Sequence, residues 1–231
     1  NVPSVAACTS CHGNPNSPDY PDFPNLTAAE IETAHVTPNA TPNNPNLPPG
    51  VPNIEYELIA ATVNGANQAI IKFRIMQDGN PLDLFDRDKN LPAGSSFDTR
   101  WPDFILAYAL AQDGITTPAE YNNRGRDSAQ PVTVDLDQLG PVNTNDGTMV
   151  DNGDGTYTAT TALATFPAPG GAFPAGATLR AVGLQGYFQV NVDDGQGGTT
   201  LYSLHTPSAV IAVSGDDSRR EVVDSNSCAS C

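Results

Sequence analysis

The chain has 231 residues, 26 acidic and 10 basic, for a formal net charge of −16. That sign argues against nucleic acid as a partner, because phosphate recognition needs the opposite charge. No apolar run approaches the roughly 20 residues of a membrane helix. Charged residues are only 16% of the chain, and 20 Gly with 21 Pro favour short strands joined by many turns over long helices.

Residues 1–53 read as an irregular segment. It carries Cys8-Thr9-Ser10-Cys11-His12, the Cys-x-x-Cys-His attachment signature of haem c. The spacing has a chemical reason. Two thiols three positions apart reach the two vinyl groups on one porphyrin edge, and the next residue offers an imidazole nitrogen to the iron. Leu26 to Ala34 is expected to form a short helix, with Thr27 as N-cap and Glu30 completing a capping box. His35 follows. Residues 38–50, rich in Pro and Asn, then read as a linker with no apolar period.

The pattern changes at Ile54. Ile54 to Val63 and Gln68 to Met76 read as strands around the hairpin signal Asn64-Gly65. Asp78-Gly79-Asn80-Pro81 marks the next turn, and Met76 is expected in the core. Asp103 to Ala111 is ambiguous in period, and its surroundings favour a strand. Val132 to Leu136 and Thr156 to Leu163 alternate as strands. Ala177 to Val192 reads as one long strand or two, and Thr199 to Leu204 pairs with its end. Ala209 to Val213 closes the set. Seven to nine strands argue for an all-β fold, a Greek-key split barrel or immunoglobulin-like sandwich over residues 54–218.

A second pair, Cys228-Ala229-Ser230-Cys231, ends the sequence. With residues 219–231 it reads as the start of a further, multihaem domain, and a His is expected after Cys231. Three chemistries compete for the Cys pairs: haem c, a four-cysteine zinc site and disulfides. The usual gap between zinc-binding pairs is far shorter than the one here.

Arg219-Arg220-Glu221-Val222-Val223-Asp224, a few residues before a Cys-x-x-Cys, resembles the outer-membrane multihaem cytochromes of the OmcA/MtrC type. Ile71 to Leu82, Asp151-Asn152-Gly153-Asp154-Gly155-Thr156-Tyr157, Leu184 to Phe188 and His205 to Val210 are similar to segments of the same family. The likeness runs over about residues 54–231 and is most specific over 205–231. It implies a β domain beside a haem chain, electron transfer at the cell surface or outer membrane, and other multihaem cytochromes, an outer-membrane electron conduit and extracellular acceptors as partners. Periplasm is the second choice of location. The family's haem-rich domain is not in this sequence.

Low-spin haems in such proteins usually take two His ligands, so His35 and His205 are candidate iron ligands besides His12. Asp151, Asp154, Asp193 and Asp194 are candidates for calcium, against the reading of acidic turn formers. No Ser-His-Asp set, catalytic carboxylate pair or phosphate loop stands out. Reductase activity, if any, would reside in a longer parent protein. A reading from another class is a secreted β-sandwich binding or adhesion module with zinc or disulfides at the terminal Cys pairs. Because compact domains often bring their termini together, the β domain is expected to leave and rejoin the haem chain on one side.

Overall fold

The computed structural model describes residues 51–85, 102–125, 130–140, 144–163, 171–193, 198–205 and 209–219. One compact unit spans Pro52–Arg220. Eleven strands are described within it: β1 (Ile54–Val63), β2 (Ala69–Gln77), β3 (Asn80–Pro81), β4 (Asp103–Ala109), β5 (Val132–Asp135), β6 (Gly147–Asp151), β7 (Tyr157–Thr161), β8 (Thr178–Gln185), β9 (Tyr187–Asp193), β10 (Thr199–His205) and β11 (Ala209–Ala212). A single 3-10 turn, Leu136–Leu139, is the only helical element among the described residues.

The fold is all-β and sandwich-like, with entirely antiparallel pairing. One sheet runs β1-β2-β7-β6, with β3 on the end of β2, and the other runs β11-β8-β4-β5. Strand parity explains both. In β2, Ala69, Ile71, Phe73 and Ile75 are buried while Ile70, Lys72 and Arg74 are half-buried, the period of two a one-faced strand requires. In β4, Phe104, Leu106 and Tyr108 are fully buried, which settles the ambiguous run as a strand. The two inner faces meet where Phe73 packs edge-on against Phe104, ring centroids 4.9 Å apart.

Met76 departs from its expectation. Parity puts it on the outer face of β2, half-buried and across from Pro81, because Ile71, Phe73 and Ile75 take the inner positions. The run from Ala177 to Val192 is two strands, broken at Gly186. A side chain there would meet the Pro102 backbone at 2.7 Å, so a close approach of chain segments excludes any larger residue. β6 was not anticipated. Its five residues begin with Gly147 in turn-like sequence, and cross-strand pairing to β7 rather than local preference makes it a strand.

Acidic and amide side chains build the turns. Asn64 Oδ1 accepts from Ala66 N and Gln68 N at 2.9 and 3.1 Å, closing the β1–β2 hairpin. Asp78 and Gly79, with φ of 50° and 78°, make the tight β2–β3 turn. Asp135 caps the 3-10 turn by accepting from Asp137 N at 2.9 Å.

Two substitutions test this packing. Phe73→Ala is expected to destabilise the domain by about 3–5 kcal/mol, through lost burial and a residual cavity. Gly147→Ala would place a Cβ 2.1 Å from the Thr160 carbonyl oxygen at a φ of 139° and is expected to cost about 1–3 kcal/mol. Both should lower the urea midpoint with an unchanged slope. Unaltered midpoints would overturn the account.

Candidate functional site

Most of the sequence-derived site residues, namely Cys8, Cys11, His12, His35, Cys228 and Cys231, lie outside the described residues, as does the expected helix at 26–34. His205 is described in backbone terms: it ends β10, paired in register with Tyr187 at the start of β9. These two strands form a separate two-stranded sheet, and His205 stands at its base, next to the Gly186 break.

The registers give the sense in which the first and last described strands run. β1 begins at Ile54, opposite Gln77. A Cβ on Gly186 would lie 3.2 Å from the Tyr56 hydroxyl, so the entry pole contains Tyr56, Pro102 and Gly186. β11 runs in the same sense as β1: Ala209 pairs with Leu184 and Ala212 with Ala181. After β11, Val213 N donates to Arg180 O at 2.9 Å and Ser214 N to Ala61 O at 2.8 Å. The described chain therefore enters at one pole and leaves at the other. The rise from Ile54 to Ala61 corresponds to about 23 Å. The expectation that the two ends of the β domain share a side is to be judged by Cys11 and Cys228, whose positions lie outside the described residues.

The exit pole is built from charged and amide groups. Arg180 and Asp216 form a two-point ion pair, Nε to Oδ2 and Nη2 to Oδ1 both at 2.8 Å, and Asp216 Oδ2 also accepts from Arg180 N at 2.8 Å. Arg180 hydrogen bonding holds the Asp216 carboxyl below its ordinary value, against the opposing effect of burial. Three residues on, Arg219 Nε donates to Glu120, and its guanidinium lies 5.8 Å from the ring centre of Tyr121, within cation–π range. The loop bearing Glu120 and Tyr121 is itself fastened to β4. Asn122 exchanges hydrogen bonds with Leu110 N and O at 3.0 and 2.7 Å, and Asn123 Oδ1 accepts from Tyr108 N at 3.0 Å. Sequence reasoning singled out Arg219 only as part of a family-like run. Its partner lies 99 positions away, beyond the reach of any local signal.

The acidic loop after β6 behaves as a turn. Asp151 Oδ1 accepts from Gly153 N at 2.7 Å, and Asp154 Oδ1 accepts from Thr156 N at 3.0 Å. The Thr156 hydroxyl, then its N–H, and to a smaller extent Lys72 lower the Asp154 carboxyl. Each carboxylate spends an oxygen on its own turn. Among the described residues, no group of three His, Cys, Asp or Glu is placed to hold a metal ion. Asp194 lies outside the described residues.

The Arg180–Asp216 pair has a pH signature. Asp216 is depressed in the folded state, so the stability it contributes is fully present above the ordinary value of 3.8 and is lost as pH falls through the folded value. Asp216→Asn is expected to cost about 1–3 kcal/mol near neutral pH. The gap between the two proteins in chemical denaturation should close from about pH 4 downward. A gap independent of pH would show that the charge is not the stabilising element.

Comparison with protein-family models and with curated proteins finds no match for this chain.

Proposed function

We propose that this chain is an electron-transfer segment of an exported c-type cytochrome. In this reading Cys8 and Cys11 would hold haem c through thioethers and His12 would ligate its iron. The observation that carries the proposal is the pentapeptide Cys8-Thr9-Ser10-Cys11-His12, whose donor set of two thiols and an adjacent imidazole fits the haem edge and iron together. The group supplies reversible one-electron chemistry at iron. The β domain acts as a scaffold that holds or docks the haem-bearing segments, and its strands are not the electron path. Cell-surface transfer to extracellular acceptors, partner cytochromes and a second haem at Cys228 and Cys231 follow from the resemblance over residues 205–231.

The sandwich-like fold is equally suited to a binding or adhesion module, and the β9–β10 hairpin, standing outside both sheets, favours keeping that reading. There the Cys pairs would hold zinc or disulfides. The two readings part in the visible spectrum. Expressed with cytochrome-maturation machinery, the full chain is expected to carry covalent haem with a reduced-minus-oxidised difference spectrum. The variant with Cys8→Ala and Cys11→Ala should lose that haem. In His35→Ala and His205→Ala, loss of the low-spin signature would identify the second axial ligand. A colourless chain that binds zinc instead would overturn the cytochrome reading.

A further inference from the structure

We propose that residues 213–219 form a two-stage latch that sets the direction in which the chain leaves the β domain, with an inner stage insensitive to salt and an outer stage that salt opens. The inner stage is the backbone pairing of Val213 and Ser214 to Arg180 and Ala61, closed by the Arg180–Asp216 ion pair. Ala61 belongs to one sheet and Arg180 to the other, so this stage ties the exit segment to both. Val213 is 1% exposed, and the Arg180 and Asp216 side chains are 22% and 11% exposed. Such a pair is screened little by solvent ions.

The outer stage is Arg219 on Glu120 and the Tyr121 ring. These side chains are more open, 49% for Arg219 and 34% for Glu120, and their attraction falls as the screening length shrinks to about 3 Å at 1 M salt. Between the stages, Asp217 and Ser218 make no backbone hydrogen bond among the described residues and form the hinge. Chain length alone keeps Cys228, nine residues on, within about 30–32 Å of Arg219. With the outer stage closed the path toward that Cys pair starts in one fixed direction. With it open the path starts two or three residues earlier and swings. The latch stands on the β domain's own residues and holds whether the Cys pairs bind haem, zinc or neither.

Backbone ¹⁵N relaxation on the full chain tests this. At low salt, order parameters are expected near about 0.85 through residue 219. In 1 M sodium chloride, residues 217–219 should fall below about 0.6 while 213–216 stay ordered. Glu120→Gln should reproduce the high-salt profile at low salt, and Lys72→Gln, which removes a distant exposed ion pair, should not. Order that is already lost after Asp216 at low salt would overturn the proposal. So would a profile that neither salt nor Glu120→Gln changes. The salt titration needs no substitution, so the test survives a variant that fails to fold.

Discussion

The contact between Phe73 and Phe104 is the constraint on which the rest of this sandwich depends. Each ring is fully buried, one from each sheet, and they meet edge-on, the arrangement that sets a positive ring edge against a negative face. Tyr157 extends the cluster within the first sheet at 6.0 Å from Phe73, and Phe85 covers Tyr157 at 5.4 Å. Burying these rings fixes which side of each strand faces inward. Once Phe73 points in, parity places Ile71 and Ile75 with it and turns Lys72 and Arg74 outward. The outward pair then finds the acidic partners Asp154 and Glu57.

A strongly acidic chain has to place its carboxylates without breaking the fold by self-repulsion. Many here are occupied in local work. Asp78 accepts from Asn53 N, and Asp146 accepts from Asp135 N. Asp151 and Asp154 bind the N–H groups of their own turn. Asp135 shows the cost: burial, and then the neighbouring Asp137 and Asp146, raise its carboxyl above the ordinary value although the Asp137 N–H partly offsets this. The basic residues are spent at specific places, and two of the ten, Arg180 and Arg219, secure the exit pole.

Within the described residues β1 and β11 run in the same sense, and backbone bonds with the Arg180–Asp216 pair fasten the segment after β11 to both sheets. The β9–β10 hairpin, based beside Gly186 at the entry pole, brings His205 to that same end of the domain.

Much of this protein was legible from residues alone. Strand-like patterning identified β1, β2, β5 and β7, because a one-faced strand writes its burial with a period of two, whereas β4 was ambiguous in period and took its reading from its neighbours. Turn chemistry at Asn64-Gly65 and Asp78-Gly79 located the hairpins: the Asn64 side chain closes the first loop, and Asp78 and Gly79 take positive φ in the second. Cys8, Cys11 and His12 stand out as a Cys-x-x-Cys-His pattern, which falls outside the described residues. Other features had no local trace. β6 exists through its pairing with β7, Gly186 breaks a strand because Pro102 approaches it, and Met76 faces outward because its neighbours claim the core. The exit latch joins Arg180 to Asp216 and Glu120 to Arg219 across 36 and 99 positions. Those encounters, and the passage from one pole to the other, depend on how the sheets stack, so tertiary structure alone decided them: local preference acts over a few residues, whereas strand order is chosen by which distant faces bury each other.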